Sequence, residues 1–317
     1  MNQKVTIINR DDLVVDYFFS NEDSKGLVVT FTERTNRELS GSGFGGEVLL
    51  ENNYDLIAIK TSKDIWYENL SINDIDTIKS FLKRIKNSYS LIASYGSSMG
   101  AYGSIKFAKA FFVDRVIAIS PLFNIKNDWE HRWDTDIPFM NSSEMIVDTD
   151  LCDSIEYHFF YDPYDKDAIH IDSYRKLMGV NLNEYKIKFA GHPVSYCLRD
   201  MGLLKMVLIS LLDGLNFPTK KLNVPKKKQQ SVSYLFWFSE YLIKRCKFNS
   251  AFIVNNRLLA INSENSEYHM QKAKILNGLN LLEESIIACD LAIKINPNNP
   301  HFGYYKDLVL NKIDSTK

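Results

Sequence analysis

One serine in this chain stands where a serine can act as a nucleophile. Gly96-Ser97-Ser98-Met99-Gly100 fits the pattern G-x-S-x-G, with Ser98 at its centre. The apolar run Leu91-Ile92-Ala93 precedes it as a buried strand, and a helical pattern starts after Met99. On so sharp a strand-to-helix turn the serine backbone is strained and its hydroxyl is lifted clear of the sheet. Small residues must flank it because strand and helix approach closely, and Gly96, Gly100, Ala101 and Gly103 meet that demand. The start of the helix offers backbone N–H groups to a developing oxyanion. The plainer reading is a Gly/Ser turn that only joins a strand to a helix. The strand before, the helix after and the additional small residues favour the chemical one.

A serine nucleophile needs a base, and the base needs an orienting acid. Six histidines are present. His158 falls inside a predicted strand, His170 on a helix, His131 in an expected lid, and His269 and His301 in the C-terminal tail. His192 is the strongest candidate: it follows the last predicted strand, Tyr185 to Ala190, on a Gly-His-Pro turn. A histidine at the C-terminal end of a parallel strand faces the crevice where α/β proteins place their chemistry. The acid should follow the preceding strand, where the chain reads Asp162-Pro163-Tyr164-Asp165-Lys166-Asp167. Asp162 is nearest the strand end on a rigid Asp-Pro turn, and Asp165 stands where the loop would reach over the histidine. Asp167 reads more simply as a helix N-cap. The acid is therefore expected to be Asp162 or Asp165.

The elements that must position these residues alternate. Strands are predicted over Lys4 to Asn9, Leu13 to Phe19, Leu27 to Thr32, Asp55 to Lys60, the elbow strand, Arg115 to Ser120, Glu156 to Tyr161 and Tyr185 to Ala190. Helices are predicted over Ser71 to Lys86, from Met99 to about Ala110, near Ala168 to Met178, and over Leu198 to Leu212. This alternation implies an α/β fold with a mostly parallel sheet flanked by helices. Residues 122–150 interrupt the rhythm with Asn, Asp and Trp and are expected to form a lid. Residues 216–230, rich in Lys and Pro, read as a solvated linker.

Beyond the linker, residues 231–317 are expected to form a small all-α domain. Residues 266–299 fit the 34-residue tetratricopeptide pattern, with Ala273, Asn280, Ser285, Ala292 and Pro297 at its characteristic places. Shifted by one period the chain matches itself, pairing Tyr234 with Tyr268, Leu242 with Leu276 and Ile253 with Ile287. His301 to Ile313 would cap the two repeats. A plain helical bundle is the alternative.

Composition narrows the function classes. The chain has 317 residues, 45% hydrophobic and 24% charged, with a formal net charge of -1. That balance carries no global nucleic-acid footprint. Four scattered cysteines form no C-x-x-C pair, so neither a zinc site nor a disulfide framework is indicated. No apolar run is long enough to span a bilayer, and the N-terminal residues lack the apolar core of a signal peptide. A cytoplasmic protein is expected. Gly41-Ser42-Gly43-Phe44-Gly45-Gly46 also matches G-x-G-x-x-G, but the preceding strand ends near Thr32, too early for the dinucleotide fingerprint. It reads as a mobile loop near the site.

The nucleophile elbow, the Ser–Asp–His order and the strand-end placement together resemble the α/β-hydrolase superfamily, over about residues 1–215. The resemblance implies an oxyanion hole made by the Met99 N–H and by the residue closing the early strand, Thr32 or Glu33. The family's common His-Gly is absent there, and Thr32 could also offer its hydroxyl. The implied chemistry is covalent acyl transfer through Ser98, by an esterase or deacetylase without a cofactor, or by an O-acetyltransferase drawing on a donor such as acetyl-CoA. The segments Val28 to Thr32, Gly43 to Gly46, Tyr54 to Lys60, Tyr95 to Ser104 and Tyr161 to Asp167 loosely resemble α/β-hydrolase-like proteins found with bacterial surface-polysaccharide genes. Trp66 and Tyr67 would then line a pocket for a saccharide or small-molecule ester, since aromatic rings stack on sugars. The alternative function is a non-catalytic hydrolase-fold protein whose helical repeats bind a protein partner.

Overall fold

Runs of β-branched and aliphatic residues build one eight-stranded sheet in the order β1-β2-β4-β3-β5-β6-β7-β8. The strands are β1 Gln3–Asn9, β2 Leu13–Phe19, β3 Leu27–Phe31, β4 Asp55–Thr61, β5 Ile92–Ser97, β6 Arg115–Ile119, β7 Glu156–Tyr161 and β8 Leu182–Lys186. β2 pairs antiparallel with both β1 and β4, whereas every pairing from β4 through β3, β5, β6 and β7 to β8 is parallel. Every residue of β3, β4 and β5 is buried, as a parallel sheet covered on both faces requires. The computed structural model describes residues 3–20, 24–141, 145–178, 182–215 and 217–315. It divides into two compact units, residues 1–188 with 192–223 and residues 189–191 with 224–317.

Among the described residues the first unit carries the sheet and the helices α1 Gly46–Glu51, α2 Ile72–Ile85, α3 Met99–Lys106, α4 Asp167–Met178, α5 Val194–Asp200 and α6 Leu204–Leu212. Ser71 and Asp74 form a reciprocal capping box at the start of α2, which satisfies two otherwise orphaned N–H groups. Some boundaries differ from those expected. The last strand ends at Lys186, not at Ala190, so the turn bearing His192 is reached through a further stretch of loop. The helix expected over Leu198 to Leu212 is two helices, because Gly202 adopts φ 66° between them. Between β6 and β7 the helical elements among the described residues are the 3₁₀ turns Ile137–Phe139 and Asp148–Asp150. Residues 142–144 of that stretch, where a lid was expected, lie outside the described residues.

A buried ion pair braces this unit. Lys60 in β4 is fully buried; its ammonium donates to Asp16 Oδ2 at 2.8 Å and to the Gly41 carbonyl at 2.8 Å. Thr6 donates to the other Asp16 oxygen at 2.6 Å. Burial pulls the Asp16 carboxyl upward, but the hydrogen bonds from Lys60 and Thr6 and the Lys60 charge outweigh it and hold the carboxyl below its ordinary value. The pair joins β2, β4 and the glycine-rich loop in one contact.

The second unit is helical: α7 Pro225–Lys228, α8 Val232–Lys244, α9 Phe248–Ile261, α10 Ser266–Gly278, α11 Leu282–Ile295 and α12 Pro300–Asp314. Helices α8 and α10 begin 34 residues apart, and so do α9 and α11. Small residues let the helices meet closely: the Ser285 hydroxyl donates to the Ala273 carbonyl at 2.8 Å, and both residues are fully buried. Asn265 and Asn299 cap α10 and α12 through their side-chain oxygens. At Gly278 an added Cβ would stand 2.3 Å from the Phe248 ring. Among the described residues, no helix is long and apolar enough to cross a membrane.

Two stability predictions follow from these contacts. Lys60→Met leaves Asp16 buried without its cation and lowers unfolding free energy by about 3–5 kcal/mol in urea titration. Because the folded Asp16 midpoint is depressed, its contribution is complete above about pH 4 and is lost as pH falls through that lower midpoint. The wild type should therefore lose more stability on acidification than the variant does. Gly278→Ala overpacks the α10–α9 contact and costs about 1–3 kcal/mol, read as an earlier thermal transition of the full chain; unchanged unfolding would refute that contact.

Candidate active site

The turn between β5 and α3 can exist only with glycine at its two close approaches. A Cβ on Gly96 would stand 2.1 Å from the Gly100 carbonyl oxygen, and one on Gly100 would stand 2.5 Å from the Phe31 carbonyl oxygen. Between them Ser98 adopts φ 53°, ψ -117°, a conformation that L-residues avoid unless the surroundings enforce it. The enforcement is visible: Ser98 N donates to Ile119 O at 2.8 Å, and Tyr102 N donates back to Ser98 O at 3.1 Å. The hydroxyl is thereby aimed at the histidine. Ser98 Oγ lies 2.8 Å from His192 Nε2, and Ser98 is only 5% exposed.

His192 arrives on the loop after β8. The chain beyond it is fixed to the sheet by Val194 N, which donates to Ser120 Oγ at 3.1 Å, and by Ser97 Oγ, which donates to Ser195 Oγ at 3.1 Å. His192 Nδ1 faces both carboxylate oxygens of Asp167, at 2.9 and 2.8 Å. An ionised carboxylate only accepts, so Nδ1 carries the ring proton and Nε2 is left to accept the Ser98 hydroxyl hydrogen. The Trp133 ring packs edge-on against the imidazole at a centroid distance of 5.3 Å.

The carboxylate that meets His192 is therefore that of Asp167, not of Asp162 or Asp165 as expected. Asp162 Oδ1 accepts from Tyr164 N at 3.0 Å and shapes the turn. Asp165 Oδ1 accepts from Asp167 N at 3.1 Å, so Asp165 does the N-terminal capping work that Asp167 was expected to do. That bond starts α4 and leaves the Asp167 side chain to point at the histidine. Asp167 is fully buried. Burial raises its proton affinity, but His192 and then Arg132 overcome that and hold the carboxyl well below the ordinary range. Asp165 goes the other way: burial and the neighbouring Asp167 charge push it up to about 6, against the pull of Arg132 and His192.

The residues expected to supply oxyanion donors are placed differently from one another. Met99 follows Ser98 as the first residue of α3, where no preceding turn supplies an acceptor for its N–H. Thr32, the expected second donor, is engaged elsewhere. Its N–H donates to Ile59 O at 3.3 Å, its hydroxyl oxygen accepts from Thr61 N at 3.3 Å, and its carbonyl accepts from the Tyr67 hydroxyl at 2.5 Å. Among the described residues the next N–H, that of Glu33, has no acceptor. Burial raises the Glu33 carboxyl, opposed by Arg199 and His192, so this residue lies within electrostatic reach of the site.

Trp66 and Tyr67, expected to line a substrate pocket, are core residues. They are 1% and 2% exposed, and the Trp66 indole N–H donates to Asp136 Oδ2 at 3.0 Å. Asp136 also receives a two-pronged bond from Arg34 at 2.9 and 2.8 Å. In the glycine-rich loop, Gly41, Gly43 and Gly45 all have positive φ, and Phe44 packs on Tyr95 with ring centroids 5.0 Å apart. The strand before that loop ends at Phe31, so it is not a strand–turn–helix dinucleotide cradle. Sequence reasoning missed Arg132, which reaches both Asp165 and Asp167, and Glu130, which holds Arg132. Charged residues two apart in a segment without period carry no signal that could have found them. Among the described residues, no group of three or more His, Cys, Asp or Glu side chains is placed to hold a metal ion.

No protein-family model matches this chain. No curated protein matches it in sequence. Solved structures resemble its backbone. An α/β hydrolase enzyme from a Medee basin deep-sea metagenome library is 16% identical with a TM-score of 0.47, covering 71% of this chain and 98% of its own. An esterase from Pyrococcus furiosus is 14% identical with a TM-score of 0.44, covering 68% of this chain and 93% of its own. An α/β serine hydrolase without a lid from Xanthomonas campestris is 14% identical with a TM-score of 0.40, covering 68% of this chain and 97% of its own.

Proposed function

We propose that this chain is a serine hydrolase of the α/β-hydrolase type that cleaves esters through an acyl-enzyme on Ser98. The observation that carries the reading is the unbroken hydrogen-bond chain from Ser98 Oγ through His192 to Asp167, at 2.8 Å on either side of the ring. It is supported by the strained elbow and by the chain order Ser, Asp, His. As the hydroxyl attacks an ester carbonyl, its proton passes to Nε2, and the new imidazolium is stabilised by Asp167. The carbonyl oxygen, now negative, is held by the Met99 N–H and, in this reading, by the Glu33 N–H. The proton on Nε2 then goes to the departing alkoxide, and water, deprotonated by the same nitrogen, releases the acyl group.

Transfer to an alcohol acceptor is the second reading, with an acyl donor such as acetyl-CoA and a saccharide hydroxyl as acceptor. It is favoured by one feature: Ser98 is 5% exposed beneath a site flanked by Trp133, and exclusion of water protects an acyl-enzyme from hydrolysis. The equal 34-residue offsets of α8 to α10 and α9 to α11 support reading the helical unit as tetratricopeptide-like repeats that bind a protein partner.

A fluorophosphonate probe tests the reading. It should label wild-type protein at Ser98 and leave Ser98→Ala unlabelled; an unlabelled wild type would remove the enzyme reading. With a chromogenic ester, Asp167→Asn should lower turnover on the order of 10³–10⁴-fold. Asp162→Asn and Asp165→Asn should each cost less than about tenfold, because neither carboxylate meets the imidazole. Equal losses for all three would contradict the assignment of the acid.

A further inference from the structure

Asp167 has a second partner. Arg132, from the segment between β6 and β7, donates through Nη1 to Asp167 Oδ1 at 3.0 Å and to Asp165 Oδ1 at 2.7 Å. The rest of its guanidinium is gripped by Glu130, with Nε at 2.9 Å from Oε1 and Nη2 at 2.6 Å from Oε2. Glu130 is buried and in turn meets His170 Nε2 at 3.1 Å. His170 Nδ1 accepts from Phe123 N at 3.1 Å, so Nε2 carries the hydrogen and donates to Glu130. The chain of contacts thus runs from Phe123 through His170, Glu130 and Arg132 to the acid that orients His192.

The chemistry of this cluster requires a cation at its centre. Asp165 and Asp167 lie two residues apart, and Asp167 is fully buried. Two carboxylates held so close cannot both stay ionised unless a positive charge sits between them. A protonated Asp167 could no longer accept fully from Nδ1 and would release the imidazole from its tautomer. Arg132 Nη1 lies against one oxygen of each aspartate while Nε and Nη2 hold Glu130, a division that a planar guanidinium makes and an ammonium does not. Other charges face the site: Glu33 beyond β3 and Arg199 on α5 are within reach of one another. Arg34 is occupied by Asp136 and lies over the Trp133 ring at 5.4 Å.

We infer that Arg132 is a positioning residue for the reaction, fixing the Asp167 carboxylate on His192 and balancing its charge against Asp165. The inference rests on the serine-hydrolase reading for its consequence and on the hydrogen-bond geometry for its substance. The segment 130–132 is then a working part of the site: the acid is correctly held only while Glu130 keeps Arg132 docked. Glu130 and His170 act one and two steps further back.

Two readouts on the full chain test it, one independent of turnover. The first is the low-field proton resonance of His192 Nδ1–H bonded to Asp167. The second is the pH profile of fluorophosphonate labelling. Arg132→Gln should lose or strongly broaden the resonance and slow labelling on the order of tenfold or more at pH 8. Arg132→Lys, which keeps the charge, should recover part of both. Arg132→Gln combined with Asp165→Asn should recover more, because removing the like charge removes the need for the cation. That rescue is what a merely space-filling arginine would not show. An unchanged resonance and pH profile in Arg132→Gln, or a double variant no better than the single one, would overturn the inference. A wild type that shows the resonance but resists the probe would instead discard the serine-nucleophile reading, while the resonance still decides the role of Arg132.

Discussion

Backbone meets backbone at Gly96 and Gly100, and nearly everything in the candidate site depends on that meeting. The carbonyl of Gly100 and the carbonyl of Phe31 occupy the space that side chains at these positions would fill. With that space open, the strand can stop and the helix can start within one residue, and Ser98 is forced into a positive-φ conformation. The strain is offset by fixed partners, the Ile119 carbonyl on one side and the Tyr102 N–H on the other. The same approach sets the end of β3 against the first turn of α3, where the Met99 and Glu33 N–H groups are the candidate oxyanion donors.

Around this neutral scaffold two clusters of buried charge stand out in the first unit. Lys60 and Asp16 brace the sheet and hold the glycine-rich loop through the Gly41 carbonyl. Arg132, Glu130, Asp165 and Asp167 form the other, and the histidine draws on it. In each case the cation meets more than one acceptor, which is how a desolvated charge is made tolerable. Among the described residues no hydrogen bond joins the first cluster to Ser98, His192 or Asp167. The second stands directly behind the histidine, so the segment between β6 and β7 is tied to the acid as well as to the surface.

Much of this was legible in the sequence, and the reasons for success and failure are physical. Fully buried parallel strands such as β3 and β4 read as continuous apolar runs, and the small residues around Ser98 announced the elbow. His192 was singled out because it follows the last predicted strand on a Gly-His-Pro turn, and its ring does meet the Ser98 hydroxyl. The carboxylate that meets His192 was missed because Asp162, Asp165 and Asp167 are chemically equivalent along the chain. Which one turns inward is set by a local bond, Asp167 N to Asp165 Oδ1, that only coordinates reveal. The Thr32 N–H, expected to face an oxyanion, is instead bonded to the Ile59 carbonyl of β4, a pairing that apolar runs alone do not announce. Trp66 and Tyr67 failed for a similar reason: large aromatic rings near a site are as useful to a core as to a ligand, and here each polar tip is bonded inward. The end of β8 was misplaced because apolar alternation continued past Lys186 into the loop that carries the histidine.

The central claim is that Ser98 forms a covalent bond to an acyl group and that His192 and Asp167 enable it. Its most direct measurement is rapid acid quench of the protein with an activated acetyl ester, followed by peptide mass analysis. The account predicts a transient gain of one acetyl group on the peptide containing Ser98, and no gain there when His192 is replaced by alanine. An acetyl group found only on lysines, or one on Ser98 that forms equally fast without His192, would contradict it.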